Sequence, residues 1–201
     1  MSKRHILVSD LGNVMVKWDP IGILTANGQL QDQASLAQAL FGQQDWVDID
    51  LGTKRFADIV PSAARRTGLA EETLAQLYGS VPASLSPIAA GVEVLEAITN
   101  AGYRAFGLSN MGMECADHLA ANMPFWYRFE DVVISGELHT IKPDPQIYLH
   151  LLEKHGLTAA DCVFIDDSLA NIQQASRLGF QTVHVTDHQG LKPALQAFFD
   201  F

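Results

Sequence analysis

The sequence predicts an α/β fold: a doubly wound parallel sheet covered by helices, with a small helical insertion after the first strand. Two observations support this prediction. Five short apolar runs alternate with helical patterns along most of the chain, which is typical of a parallel sheet buried on both faces. Between the first and second runs, from about residue 17 to residue 82, only helical patterns appear.

The five apolar runs are interpreted as five short, fully buried strands, because each ends abruptly at polar residues. They cover residues 6–8, 103–108, 132–134, 162–165 and 182–185. Strands that alternate with helices imply right-handed crossover connections, which produce a parallel sheet with helices on both faces.

Three helices between the later strands are predicted from their start and stop residues. The first is expected to carry proline at its first helical position and glycine just past its end. The start and stop signals are Ser86-Pro87 and Gly102, Asp144-Pro145 and Gly156, and Ser168 and Gly179.

The helical insertion divides the predicted chain into a core, residues 1–16 and 83–201, and a cap, residues 17–82. Within the cap, Asp19-Pro20 and Thr53 are predicted helix starts, and Pro61 is expected to end or kink its helix. A helical excursion that packs on the core without moving is the alternative interpretation, and the sequence does not separate the two.

Composition excludes several classes of protein. The chain has 201 residues, a net charge of -10 and 48% hydrophobic residues, which is too apolar for a disordered chain. The acidic balance argues against a nucleic-acid partner, since phosphate backbones require a basic face. No run approaches the ~18 apolar residues of a membrane span. We therefore expect a monomer or homodimer that binds a small molecule and neither nucleic acid nor membrane.

The start of the chain and the cysteines predict a cytoplasmic location. The first apolar run is far shorter than the roughly 7–15-residue core of a signal peptide. Cys115 and Cys162 lie far apart and form no metal-binding pair, which is typical of reduced thiols.

Polar residues follow four of the predicted strands, at the edge of the sheet where ligands bind in open α/β folds. These residues are Asp10, Ser109-Asn110, Lys142 and Asp166-Asp167. Three carboxylates at one edge would repel one another without a cation, and a few hard oxygen ligands favour Mg²⁺ that shares phosphate oxygens. A serine hydroxyl and a lysine add a donor and a positive charge. The pattern predicts a site for phosphoryl transfer.

The same motifs, in this order, resemble the four motifs of the haloacid dehalogenase superfamily. They are DLGNV at 10–14, SN at 109–110, KP at 142–143 and DD at 166–167. KPDPQIY at 142–148 and FIDDSLANI at 164–172 resemble the subfamily whose helical cap follows the first motif. DLGNV is similar to the sugar-phosphate phosphatase branch that includes glucose-1-phosphate phosphatases.

The resemblance implies a Mg²⁺-dependent phosphatase of a small phosphorylated metabolite. Asp10 would be the nucleophile that forms an aspartyl-phosphate, which divides one difficult displacement into two easier ones. The implied metal ligands are Asp10, the main-chain carbonyl of Gly12, Asp167, and Asp166 directly or through water. The implied phosphoryl-binding groups are Ser109, the Asn110 backbone and Lys142.

Two positions depart from the family pattern. Gly12 stands where phosphatases of the family carry a second aspartate, an acid and base that contributes roughly 10²–10⁴-fold in rate. Because a hemiacetal hydroxyl leaves readily without such help, Gly12 predicts a preference for sugar 1-phosphates. Ala170 stands where relatives often carry another acid, and Asn171 is a candidate to replace it through a hydrogen bond.

Other interpretations stay open at the level of sequence. In a 2-haloacid dehalogenase the same aspartate attacks carbon without a metal, although the Asp166-Asp167 pair and the missing aromatic residue at Gly12 argue against it. A binding or regulatory protein that lost turnover would explain Gly12. Individually, Asp10 and Ser109 are also common strand-end and cap residues, and Lys142 could be a solvated loop lysine.

Overall fold

A computed structural model describes residues 5–201 of the chain. Residues 1–4, which the sequence assigns to the core and to a start without a signal peptide, lie outside the described residues. The strands are β1 (Ile6–Ser9), β2 (Ala105–Ser109), β3 (Asp131–Ile134), β4 (Cys162–Asp166) and β5 (Gln181–His184). They form one parallel sheet in the order β3-β2-β1-β4-β5. This sheet, flanked by helices, confirms the predicted fold.

The helices in the described part of the chain fall into two groups. Between β1 and β2 lie α1 (Pro20–Ala26), α2 (Gln33–Phe41), α3 (Gln44–Asp50), α4 (Phe56–Thr67), α5 (Glu71–Ser84) and α6 (Ala89–Asn100). The later helices are α7 (Met113–Asn122), α8 (Ser135–Leu138), α9 (Pro145–His155), α10 (Leu169–Arg177) and α11 (Leu191–Leu195). Helices α1 to α5 span nearly all of the predicted cap, whose division from the core stays a prediction.

All five strands form where the sequence predicts them. The prediction of full burial is confirmed for β2 and β4, but it is wrong for the first residue of β1, for the first half of β3 and for all of β5. Its four residues are half-buried or exposed, because β5 lies at the edge of the sheet and only β4 covers its hydrogen-bonding side. At the other edge, β3 begins half-buried and ends buried.

Two predicted helix starts are confirmed by their caps. The Asp19 carboxylate accepts a hydrogen bond from Gly22 N at 2.9 Å, and α1 begins at the next residue, Pro20. The Asp144 carboxylate does the same for Gln146 N at 2.8 Å, at the start of α9.

Two other predicted helix starts are wrong, and one predicted helix end is not observed. Pro87 is not the first residue of α6, because it pairs with Val16 in an isolated antiparallel bridge that keeps it extended. Thr53 does not begin α4, since its backbone closes the turn after α3 and α4 starts at Phe56. Of the two expectations for Pro61, a helix end is not observed, because α4 continues to Thr67, and a kink stays a prediction. These outcomes reflect contacts between segments that local signals do not report.

The sheet separates two layers of buried apolar side chains. Adjacent strand residues point to opposite faces, so Leu7 belongs to one layer and Val8 to the other. The layer with Leu7 continues without interruption into the insertion, where Leu40 and Tyr78 are buried. The insertion is therefore packed on one face of the fold and shares its core.

The parallel strands bring the polar strand ends together. Asp10 directly follows β1, and its N–H donates to Ile165 O of β4 at 2.9 Å. Ser109 is the last residue of β2 and Asp166 the last of β4. The carboxyl ends of β1, β2 and β4 thus form one edge, which faces the insertion through α3.

Candidate active site

Asp10 is nearly buried and is held by donors from two sides. Its Oδ1 accepts a hydrogen bond from Leu11 N at 2.7 Å and forms an ion pair with Lys142 Nζ at 2.9 Å. The chain turns back immediately, since Met15 N and Val16 N both donate to Leu11 O. This tight loop fixes the Asp10 carboxylate at the end of β1.

Lys142 is buried, with only 3% of its surface exposed, so it is not the solvated loop lysine of the alternative interpretation. Its Nζ contacts Leu108 O at 2.8 Å, Asp10 Oδ1 at 2.9 Å and Asp166 Oδ2 at 2.7 Å. An ammonium group has three donors, and all three are used. Lys142 therefore forms a fixed positive charge between two strand ends.

Burial and neighbouring charges shift the pKa values of this pair. Burial raises the pKa of Asp10 to about 6, with Lys142 acting to lower it and Asp166 to raise it. Burial acts to lower the pKa of Lys142, but the carboxylates of Asp10 and Asp166 outweigh it, and the pKa lies above its ordinary value. Lys142 is thus charged throughout the physiological range.

Asp166 is fully buried and both of its oxygens have donors. Oδ1 accepts from Ser168 N at 2.7 Å and from Asn171 Nδ2 at 3.1 Å, while Oδ2 accepts from Lys142 at 2.7 Å and from Asn171 at 3.1 Å. The hydrogen bond expected of Asn171 is present. Ala170 is exposed and takes no part.

Asp167 is half-buried and lies toward open space. Its Oδ2 accepts from Asn13 Nδ2 at 3.0 Å, and His184 Nε2 donates to its carbonyl at 3.0 Å. Carboxylate oxygens of Asp10, Asp166 and Asp167 lie within 4.8 Å of one another. Three carboxylates face one buried ammonium, and such an excess of hard anionic oxygens fits a divalent cation such as Mg²⁺.

Ser109 and Asn110 complete the group of residues that the sequence predicts. Ser109 is buried beside Asp10 and acts to lower its pKa. The Asn110 side chain clamps the Lys142 backbone, since Oδ1 accepts from Lys142 N at 2.7 Å and Nδ2 donates to Lys142 O at 2.9 Å. The structure therefore brings every predicted site residue to one edge of the sheet, while their catalytic and binding roles stay predictions.

A pocket of about 210 Å³ lies between this edge and the insertion. Its polar lining consists of Asp10, Asn13, Asp50, Asn110 and Asp167 together with the backbone of Gly12 and Gly112. Its apolar lining consists of Val16, Trp18, Trp46, Ile49, Leu85, Met111 and Cys115. The rings of Trp18 and Trp46 stack with centroids 5.1 Å apart, so the two side chains line the pocket as one aromatic pair.

Three residues that sequence reasoning missed organise the pocket. Asn13, interpreted only as a turn residue, adopts a left-handed φ of 51° and joins Asp167 through its side chain; asparagine tolerates this conformation. Ser135 Oγ donates to Asp50 O at 2.6 Å and accepts from Met111 N at 2.9 Å. Asp50 lies on the apolar face of α3. An acidic residue at an apolar position of the helical pattern was the sequence signal that could have identified it.

Comparison with known proteins identifies the family. A model of haloacid dehalogenase-like hydrolases matches residues 13–179, so the chain belongs to this family of hydrolases. The sesquiterpene phosphatase astK of Aspergillus oryzae is 24% identical over 182 residues, which cover 90% of this chain and 89% of that protein.

Solved structures show the same fold. A dehalogenase superposes with a TM-score of 0.77 and 19% identity, covering 97% of this chain and 98% of that one. A family enzyme of Bacteroides thetaiotaomicron, in complex with magnesium and inorganic phosphate, superposes with a TM-score of 0.71 and 22% identity, covering 90% of this chain and 93% of that one.

Proposed function

We propose that the protein is a Mg²⁺-dependent phosphatase of a small phosphomonoester, with Asp10 as the nucleophile. The observation that carries the proposal is the convergence of three carboxylates, two of which contact the buried ammonium of Lys142. The relative from Aspergillus oryzae is named a phosphatase, and the Bacteroides structure holds magnesium and phosphate. We also assign the chain to the subfamily whose helical cap follows the first motif, with residues 17–82 as the cap.

In the proposed reaction an oxygen of Asp10 attacks phosphorus, and the bond from phosphorus to the alcohol oxygen breaks. The alcohol takes up a proton and leaves. Water then attacks the phosphorus of the aspartyl-phosphate, which releases inorganic phosphate and restores the carboxylate. Lys142, Ser109 and the Asn110 backbone would bind the phosphoryl oxygens, where fixed positive charge and donors stabilise developing negative charge.

Asp10, Asp167 and the Gly12 carbonyl would hold the metal, since all three residues line the pocket. Asp166 would act directly or through water, and its two oxygens already accept hydrogen bonds from three residues. When bound, Mg²⁺ would neutralise charge on the phosphoryl oxygens and orient them.

The lining of the pocket favours an alcohol with a small apolar body over a sugar. Apart from the residues of the proposed reaction centre, Asn13 and Asp50 are the polar side chains of the lining, whereas sugar hydroxyls would each need a partner when buried. This lining agrees with the name of the sesquiterpene phosphatase. A sugar 1-phosphate, expected from Gly12, and membership of the glucose-1-phosphate phosphatase-like branch stay the alternative.

Phosphate release from a panel of phosphoesters tests the proposal. The panel contains prenyl, aryl and simple alkyl phosphates with sugar 1-phosphates and 6-phosphates, each assayed with Mg²⁺ and then with EDTA. We expect turnover that requires Mg²⁺ and falls on the order of 10⁴-fold or more in Asp10→Asn. Asp117→Asn, the same change at an exposed acid on α7, is the control and should retain activity.

Two other results would overturn the assignment. Halide release from 2-haloacids without metal would indicate a dehalogenase. Binding of Mg²⁺ and phosphate without turnover of any ester would indicate a regulatory protein.

The remaining expectations concern location and partners. No helix within residues 5–201 has both the length and the apolar character needed to cross a membrane. Both cysteines are unpaired and buried. A cytoplasmic location, the absence of a nucleic-acid partner, and a monomeric or homodimeric state stay predictions.

A further inference from the structure

The proposed reaction lacks a proton donor at its usual place in the sequence. Gly12 has no side chain, yet an ordinary alcohol leaves as an alkoxide unless a nearby acid protonates its oxygen. Among the described residues, an ideal Cβ at Gly12 would meet no heavy atom within 4 Å. The space beside the nucleophile is therefore open, and any acid must reach the leaving group from another element.

Asp50, the last residue of α3, lines the same pocket as Asp10 but comes from the insertion. In an in-line displacement the leaving oxygen lies on the far side of phosphorus from the attacking group. For a nucleophile at the end of β1, that side is the wall formed by the insertion. This wall consists of Trp18, Trp46, Ile49 and Asp50, and of these only Asp50 can transfer a proton near neutral pH.

The Asp50 carboxylate is free to act. Within residues 5–201 no donor forms a hydrogen bond or ion pair with it. The other two acids of α3 are paired, since Asp45 and Asp48 lie 3.0 Å and 2.9 Å from Lys54 Nζ. Burial of an unpaired carboxylate lowers the stability of the fold. The two paired acids of the same helix do not carry this cost.

The backbone at Asp50 is nevertheless held firmly against the core. Ser135 Oγ donates to Asp50 O at 2.6 Å, and His139 Nδ1 donates to Leu51 O at 2.7 Å. Gly52 lies so close to Gly136 that a Cβ on Gly52 would be 2.0 Å from Gly136 O. The end of α3 thus positions the carboxylate relative to the sheet without using its oxygens.

The surroundings keep a proton on Asp50 near neutral pH. Burial raises the pKa of Asp50 to about 7, the negative charge of Asp10 acts in the same direction, and Lys142 opposes them. Cys115 on α7 and Asp167 line the same pocket, and burial raises the pKa of the Cys115 thiol to about 12, so it stays neutral. Exposed carbonyls at the end of a helix also disfavour negative charge.

We propose that Asp50 is a catalytic residue, the general acid that protonates the leaving alcohol oxygen while its bond to phosphorus breaks. The carboxylate left behind then takes a proton from the water that attacks the aspartyl-phosphate, so each turnover restores the starting state. This role rests on the proposed phosphatase function.

Leaving-group dependence separates this role from binding or folding. We compare kcat/KM for a simple alkyl phosphate and for p-nitrophenyl phosphate, because kcat/KM covers the steps through release of the alcohol. In Asp50→Asn, kcat/KM for the alkyl ester should fall by roughly 10²–10⁴-fold. For p-nitrophenyl phosphate kcat/KM should fall only a few fold, because nitrophenolate is a good leaving group. Asp48→Asn on the same helix is the control and should match the wild type with both esters.

The pH profile gives a second readout. For the alkyl ester, wild-type kcat/KM should decline as the pH rises through about 7, where Asp50 loses its proton, and Asp50→Asn should lack this decline. Equal losses with both esters, or an unchanged pH profile, would overturn the role of Asp50 and leave the phosphatase assignment intact. Silence of the wild type with both esters, or retained turnover in Asp10→Asn, would overturn the phosphatase assignment itself.

Discussion

The acidic side chains of α3 show how one residue type takes different roles within one short helix. Lowered pKa values of Asp45 and Asp48 reflect hydrogen bonds to neighbouring donors, including Lys54, which outweigh desolvation. Within residues 5–201 Asp50 has no such partner, and its pKa is raised. The first two acids stabilise the insertion, whereas the third is held in the pocket at a cost in stability.

This cost predicts that Asp50→Asn stabilises the protein in a pH-dependent manner. A pKa raised on folding from 3.8 to about 7 means that the stability contributed by Asp50 is fully present below about pH 4 and is lost as the pH rises through 7. Urea unfolding should therefore show Asp50→Asn about 4 kcal/mol more stable than the wild type at pH 8, and equal to it at pH 3.5. A variant that is less stable than the wild type at pH 8 would contradict this account.

Asn171 positions a charged neighbour without a proposed contact to the substrate, and its removal should weaken metal binding. Its amide donates to both oxygens of Asp166. Asn171→Ala should weaken Mg²⁺ binding by about 10–100-fold, the usual effect of removing a partner that orients a metal-site carboxylate. The Mg²⁺ dependence of the rate and calorimetric titration measure this directly. Gln173→Ala, an exposed position on the same helix, should bind Mg²⁺ normally, and equal affinities in the two variants would argue against the proposed metal site.

At the scale of elements, the contact between α3 and the sheet edge determines the shape of the pocket. Gly52 follows α3 with a φ of 66° and lies against Gly136, while Ser135 joins the helix end to the backbone after β2. A side chain at Gly52 would force these segments apart. The insertion and the strand ends therefore act as one unit at this contact.

Gly52→Ala and Gly68→Ala form a matched pair that tests this contact. Both glycines have positive φ, 66° and 75°, but a Cβ at Gly68 meets no atom within 4 Å. Gly68→Ala should cost about 1 kcal/mol of stability from backbone strain alone, with little change in activity. Gly52→Ala should cost about 2–4 kcal/mol, since overpacking adds about 1–3 kcal/mol, and should lower kcat/KM. Similar losses of stability and activity in both variants would show that the contact does not shape the pocket.

The strands and their polar ends could be predicted from sequence because both are local signals. A short apolar run followed by Asp10 or by Asp166-Asp167 contains the strand, its end and its functional group together. Pro87 and Thr53 misled because the first pairs with a distant segment and the second closes a turn. The helical spacing could have drawn attention to Asp50, but not its place in the pocket, which depends on packing between α3 and residues more than 80 positions away along the chain.

At the scale of the whole molecule, the fold places the proposed nucleophile and the proposed proton donor on different parts of the chain. The core supplies Asp10, Asp166 and Asp167 at the ends of parallel strands, and Lys142 from the loop between α8 and α9. The insertion supplies the apolar wall and Asp50. If Asp50 is the general acid, the acid that Gly12 lacks is supplied by the insertion, and the phosphoryl group would be bound where the two parts meet.

Covalent catalysis by Asp10 can be tested by trapping the phosphorylated enzyme. The protein is mixed with Mg²⁺ and p-nitrophenyl phosphate, quenched in acid within one turnover and mapped by mass spectrometry. Asp50→Asn is included because loss of the water-activating base should slow hydrolysis of the intermediate and increase its amount. In the wild type we expect a single phosphorylated residue, Asp10. The phosphorylated fraction should be larger in Asp50→Asn and zero in Asp10→Asn or with EDTA. Phosphate release in both active proteins with no phosphoryl group on Asp10 would contradict covalent catalysis by this residue.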